Sequence, residues 1–404
     1  MRFCIVTPFF PSRTKSGGGV GMHYYDLTRY LAPYCEEIVL LYVAEEPLDA
    51  ETIKSLPANV TVHYLKDSFG SIKGDPYSLP TKIKKRLSRL ALNIRVALRL
   101  MKLDREKPID VVETTNYLYL CLSYTFNATR KPLITRFSSS TGQLRQYGNW
   151  RSSKVDLIEL LEIWMFKRSN IKLSHTYQHS HLIAHQMNVS PSKIRIIPHG
   201  TSIMEGQTLE PKQSAGNTLN ILFLGRLEAR KGIHTFLKAI PLLRNQHANL
   251  HFRIAGEDPD NVYQNIFNKE NSSNTAEVTF LGEITHDEKV EEYRNCDIFA
   301  APSLYESFGL IYIEAMSFGK PVIGCSAGGA IEVIKDKEVG YLITPGSAEE
   351  LSEVLSLLVS NPDLRDKMGE AAKQRVETLF TADIMAKNSH RMLTAITSDW
   401  NFRL

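Results

Sequence analysis

The feature that most constrains the fold is an alternation. Short apolar runs closed by Gly, Pro or Asn are separated by longer segments with helical spacing of apolar residues. A run that is apolar on both faces suits a strand buried in a parallel sheet, and the helical segments supply the crossovers such strands need. Seven runs lie in the first half, at 2–8, 37–43, 59–65, 110–114, 132–137, 171–176 and 194–198; six lie in the second, at 220–224, 250–255, 278–281, 297–301, 321–325 and 340–343. Two successive sets predict an α/β protein with two Rossmann-like, doubly wound domains facing a central cleft. Ligands in such sheets bind beyond the carboxyl ends of the strands, so chemistry is expected just after strands.

The stretch 208–220, rich in Pro, Gln, Ser, Gly and Asn, reads as the connection between the sets. The expected division is therefore 1–205, 206–380 and a terminal helical segment, 381–404, placed to return to the first domain. A helix-forming stretch, 348–379, closes the second set. A chain of 404 residues is long enough for two independent cores. Cys4, Cys35, Cys121, Cys296 and Cys325 are scattered, without CxxC or zinc spacing, and read as buried thiols in a reducing compartment. The first apolar run is too short for a signal-peptide core, and no window holds the ~20 apolar residues of a membrane span. The expected location is cytoplasmic, either free or peripheral on the inner face of a membrane. A formal charge of +4 with both signs interspersed excludes a protein that coats nucleic acid.

The most informative segment is Glu306-Ser-Phe-Gly-Leu-Ile-Tyr-Ile-Glu314, a loop that becomes a helix after the run 297–301. Ser307 is the expected N-cap, and Gly309 lets a ligand approach the backbone. Unpaired N–H groups at a helix start suit a phosphate, with the amides of Phe308, Gly309 and Leu310 nearest. Glu314 would lie about 7.5 Å along the axis, near the reach from a diphosphate to its ribose. Glu306, in the loop, faces what extends beyond the phosphates. The plainer alternative is two solvated glutamates. A second segment, Gly225-Arg226-Leu-Glu-Ala-Arg230-Lys231-Gly232, sits on the first strand-to-helix turn of the second set. Its cations can neutralise a diphosphate leaving group. After the first strand comes Gly17-Gly18-Gly19-Val20-Gly21-Met22-His23, which lacks the third glycine of GxGxxG and the Walker lysine. It reads either as a flexible turn or as a loop bringing amides to a phosphate across the cleft.

Taken together these motifs resemble the retaining GT-B glycosyltransferases of family 4, over nearly the whole chain. The resemblance includes the glycine loop with His23, Asp110-Val-Val-Glu113, the Ile-Arg-Ile-Ile-Pro-His199-Gly segment, Arg226 with Lys231, and the Glu306/Glu314 pair. Ala327-Gly-Gly-Ala-Ile-Glu-Val-Ile and Gly340-Tyr-Leu-Ile-Thr-Pro also fit. It implies transfer of a hexosyl or N-acetylhexosaminyl group from a nucleotide diphosphate sugar, UDP-linked before GDP-linked, to a saccharide, lipid-linked or small-molecule acceptor. Arg226 and Lys231 would hold the diphosphate, assisted by the amides from Ser307 to Leu310. Glu314 would bind the ribose and Glu306 the sugar hydroxyls, with Gly18 and Gly19 approaching from the other domain. His23, Glu113, Ser138 and His199 would line the acceptor side. No metal is implied, and no Asp-x-Asp pair stands near these motifs. Attack is expected on the front face, with the leaving phosphate helping to deprotonate the acceptor. One departure is that Ser138 stands where the family often has a histidine.

A sugar-nucleotide epimerase of the same architecture and a non-catalytic nucleotide-sugar-binding subunit are the rival readings. His175, His179, His181 and His185 form i,i+4 pairs, read either as ordinary surface or cleft histidines or as a zinc site. Residues 81–107 carry ten basic and two acidic side chains, a local net of +8 that leaves −4 for the rest. This segment is either a crossover helix packed on the first sheet or a helix lying on an anionic membrane.

Overall fold

The computed structural model describes residues 1–12, 18–68, 79–139, 143, 157–204, 218–244, 246–247, 249–270 and 278–401. Gly17, most of the connection expected at 208–220 and, apart from Gln143, the loop beyond Ser139 lie outside them.

The first sheet contains β1 (Arg2–Thr7), β2 (Glu37–Ala44), β3 (Val60–Lys66), β4 (Val111–Thr115), β5 (Leu133–Arg136), β6 (Ile171–Ser174) and β7 (Ile194–Ile196), in the order β3-β2-β1-β4-β5-β6-β7. The second contains β8 (Leu219–Leu224), β9 (Leu250–Ala255), β10 (Val278–Gly282), β11 (Ile298–Ala300), β12 (Val322–Cys325) and β13 (Gly340–Ile343), in the order β10-β9-β8-β11-β12-β13. Every pairing is parallel. Each expected strand forms, because an apolar run buried on both faces has nowhere else to go. Phe3, Cys4, Ile5 and Val6 of β1 are all fully buried, each large apolar side chain contributing about 1.5–3 kcal/mol.

The helices of the first half are α1 (Gly18–Leu31), α2 (Ala50–Lys54), α3 (Leu79–Glu106), α4 (Leu157–Arg168) and α5 (Tyr177–Met187). Those of the second are α6 (Ile233–Arg244), α7 (Val262–Glu270), α8 (His286–Asn295), α9 (Leu310–Ser317), α10 (Ala330–Val333), α11 (Ala348–Ser360) and α12 (Pro362–Leu379), followed by α13 (Ala382–Asn401). Local chemistry sets several starts: Thr176 caps α5, a reciprocal Thr285–Glu288 box caps α8, and Ser347 caps α11. The stretch expected as 348–379 breaks at Asn361, where Pro362 opens a new helix.

α3 and α4 cover one face of the first sheet, α1 and α13 the other. α13 returns to the first half by a backbone exchange in which Thr201 N donates to Phe380 O (2.9 Å) and Ala382 N to Thr201 O (3.1 Å). The approach requires Gly200, since a Cβ there would meet Thr381 O at 2.2 Å. The five cysteines are buried and free. No helix among the described residues is long and apolar enough to cross a membrane.

Candidate active site

Each sheet reverses its strand order once, between β1 and β4 and between β8 and β11; most candidate residues follow those strands, while Ser138 follows β5 and His199 follows β7. Such a reversal opens a crevice, because successive crossovers leave in opposite directions.

At the second reversal, β8 runs into Gly225 and Arg226, then a 3-10 turn (Ala229–Lys231) ending in Gly232 at φ 76°. A Cβ on Gly232 would stand 1.8 Å from Pro302 O, so only glycine lets this loop lie against the segment leaving β11. Lys231 Nζ donates to Glu306 Oε1 at 2.6 Å, and Ser303 Oγ donates to the same oxygen at 2.9 Å. Burial raises the Glu306 pKa, but the charges of Lys231 and Arg230 outweigh it, and the carboxyl stays below its ordinary value. Arg230 is buried and ties the loop down through Tyr305 O and Glu228. Arg226 is different: its side chain is 60% exposed and 3.3 Å from Glu228.

α9 begins on Gly309, in the left-handed region at φ 96°, with no side-chain cap. The expectation of Ser307 as N-cap is therefore corrected: the turn needs a positive φ next to the helix, which glycine supplies, and the Ser307 carbonyl accepts from Thr176 Oγ1 at 3.0 Å across the cleft. The uncapped start leaves amides at Leu310 and Ile311 for another acceptor. Phe308 is buried against His199 (5.1 Å between centroids) and Phe380 (5.7 Å). Glu314, one helical stretch on, accepts from Lys289 Nζ and Tyr293 OH of α8, each at 2.9 Å. Nothing in the local sequence around Glu314 announces these partners. Gly19 faces this helix start from the first half, where a Cβ would lie 3.4 Å from Leu310 Cδ1; Gly18 precedes it at φ 60°.

The first reversal has a different character. Glu113 and Arg136 form a buried pair, Nε–Oε1 2.6 Å, so the Glu113 carboxylate is engaged by the protein itself. Ser138 donates through Oγ to Asn116 Oδ1 at 3.0 Å, and its amide donates to the same oxygen at 2.9 Å. His23 and His199 share a hydrogen bond between Nδ1 atoms at 2.7 Å, which requires one imidazole to donate and the other to accept. His175 stacks on His199 with centroids 3.5 Å apart. Burial, followed by the charge of Arg136, holds His23 well below the usual imidazole range. Burial and neighbouring imidazoles do the same for His175 and His199, and burial pulls His179 down to about 3. His175 and His179 thus turn inward and His181 and His185 outward; among the described residues no group of three His, Cys, Asp or Glu is arranged to hold a metal ion.

Glu332 was not singled out by itself, although it lies within the segment 327–334. Its carboxylate accepts from Tyr177 N (2.9 Å) and Gln178 N (2.7 Å), capping α5 from the opposite half.

Residues 207–375 match the family model described as glycosyl transferases group 1. A glycogen synthase of Mycobacterium tuberculosis is 24% identical over 377 residues, covering 90% of this chain and 87% of that protein. The sucrose-phosphate synthase of Thermosynechococcus elongatus superposes with a TM-score of 0.73 at 17% identity, covering 99% of this chain and 100% of the other. HepE of Anabaena, solved with UDP and glucose, gives 0.71 at 17% identity, covering 96% and 99%. With two parallel sheets meeting at paired switch points the chain has the GT-B fold, and its residues 207–375 form a domain that matches glycosyl transferases group 1.

Proposed function

We propose that the chain transfers a hexosyl or N-acetylhexosaminyl group from a nucleotide diphosphate sugar, with retention at the anomeric carbon, to a saccharide, lipid-linked or small-molecule acceptor. The observation that carries this reading is the Lys231–Glu306 pair set beside the uncapped start of α9 at the β8/β11 reversal. A cation, free helix amides and a buried carboxylate within one loop cluster match a diphosphate at one end and sugar hydroxyls at the other.

Arg226 and Lys231 neutralise the diphosphate as the bond from the anomeric carbon to the phosphate oxygen breaks. Amides around Phe308, Gly309 and Leu310 take the remaining phosphate oxygens, and Gly18 and Gly19 close from the first half. Glu314 keeps lone pairs beyond those used by Lys289 and Tyr293, and these accept the ribose hydroxyls. Glu306 orients the transferred sugar. The acceptor oxygen forms the new bond on the face the phosphate leaves, and its proton passes to the departing phosphate. No metal ion is needed in this scheme. UDP is favoured as the nucleotide, since HepE, of the same fold, is solved with it.

Screening nucleotide sugars by thermal shift and by donor hydrolysis tests the reading. The cognate donor at about 100 times its dissociation constant adds about 2.7 kcal/mol of stability. Absence of stabilisation by any nucleotide sugar contradicts it, and conversion of the donor without an acceptor favours an epimerase.

A further inference from the structure

We propose that the outer face of the layer formed by α3 and α4 is a docking surface for an anionic lipid bilayer. The surface stands apart from the reaction, and its test involves no nucleotide sugar.

α3 carries two apolar stripes where a crossover helix needs one. Leu92, Val96, Leu100 and Leu103 are buried on the first sheet, as packing requires. Ile83, Leu87, Leu90, Ile94 and Leu98 are 46%, 60%, 53%, 46% and 59% exposed. At 100° per residue they fall on the side of the helix turned away from the sheet, along roughly 22 Å of its length. Lys84 and Arg86, then Arg95 and Lys102, are exposed beside this stripe. Residues 79–103 contain no acid at all.

α4, on the same face of the sheet, is also apolar on the side turned to solvent. It buries Glu159 and Glu162 together with Met165 and Phe166, while Leu157, Ile158, Leu160 and Trp164 are exposed. Trp164 meets the exposed Phe126 edge-on at 5.1 Å, and the Arg168 guanidinium lies over the Phe126 ring at 4.3 Å. Apolar side chains ringed by Lys and Arg, with an amphipathic Trp among them, match the boundary between headgroups and acyl chains. Charge selects this occupant over a second copy of the chain. A two-fold contact would set the +8 segment against itself, whereas an anionic leaflet attracts each cation.

The test is flotation of the full chain with phosphatidylcholine vesicles and with vesicles containing phosphatidylglycerol, at low and high salt, together with tryptophan emission. We expect flotation with the anionic vesicles only, weakened by salt, and a blue shift that Trp164→Phe removes. Lys84→Glu with Arg86→Glu lowers partitioning about tenfold or more, and Leu87→Asp with Leu98→Asp abolishes it. Because these side chains are exposed, the variants keep the parent melting temperature. Absence of flotation, equal flotation with neutral vesicles, or flotation unchanged in the variants overturns the proposal. So does a concentration-dependent dimer that Leu87→Asp disperses, which would assign the face to a second copy.

Discussion

The two strand-order reversals are topological twins with different electrostatics. At the first, the charges are sealed in a buried Glu113–Arg136 pair, and the neighbouring imidazoles are held neutral by burial. At the second, Lys231 pairs with Glu306 at the end of the crevice, and Arg226, 60% exposed, lies 3.3 Å from Glu228. The sheet positions both sets equally well. Both hold an ion pair, and what differs is how far it is closed off: the Glu113 and Arg136 side chains are 1% and 3% exposed, whereas those of Lys231 and Glu306 are 16% and 10% and can still meet a ligand. A diphosphate donor needs the second kind of site, and a neutral hydroxyl acceptor suits the first.

The comparison can be broken where the charges are sealed. Glu113→Ala leaves Arg136 buried without its partner, which costs about 3–5 kcal/mol of stability by chemical denaturation. A variant as stable as the parent would show that the first reversal holds no closed pair. At the second reversal the loss appears in rate. Lys231→Ala lowers turnover by about 10²–10³, equivalent to about 2.7–4 kcal/mol, in a chain that still melts cooperatively. Arg226→Ala, which removes no buried partner, loses rate without losing stability.

Acid separates the two regions further. An unfolded imidazole titrates near 6.5, whereas His23, His175, His179 and His199 are held below it in the folded chain. Below that value the unfolded chain binds more protons, so the stability present above about pH 6.5 falls as pH drops, by about 1.4 kcal/mol per unit for each histidine. Asp26 opposes this: burial lifts its carboxyl to about 6, so the folded chain is the first to take up that proton. Glu306, held below its ordinary value, adds nothing to the slope in this window. Denaturation at pH 7, 6 and 5 should therefore show falling stability, with a shallower slope for His199→Gln. The smallest effect is expected at the seam between the halves. Glu332→Ala removes the acceptor of the Tyr177 and Gln178 amides while leaving the Thr176 cap on α5, and costs about 0.3–1 kcal/mol.

The sheets were legible in the sequence because parallel strands are apolar on both faces and their crossovers have helical periodicity. Lys231 and Glu306 stood out in the sequence because each lies in a loop that follows a strand, but their hydrogen bond to each other did not. Ser307 misled, since its chemistry suits a cap but the turn required the positive φ of Gly309. Lys289 and Tyr293 left no local trace, as they reach Glu314 from another helix. The inward turn of His179 likewise depends on which face α5 presents to the first sheet, and that of His175 on the path of the chain leaving β6. The segment 81–107 left two readings open, and α3 shows why: it packs as a crossover helix on one side and remains apolar on the other.

The central claim is that the donor diphosphate is held at the second reversal and not at the first. Calorimetric titration with a nucleoside diphosphate, in the parent chain, Lys231→Ala and Ser138→Ala, tests it most directly. The account predicts binding weakened about tenfold or more in Lys231→Ala and unchanged in Ser138→Ala. Binding unchanged in Lys231→Ala, or lost in Ser138→Ala, would contradict it.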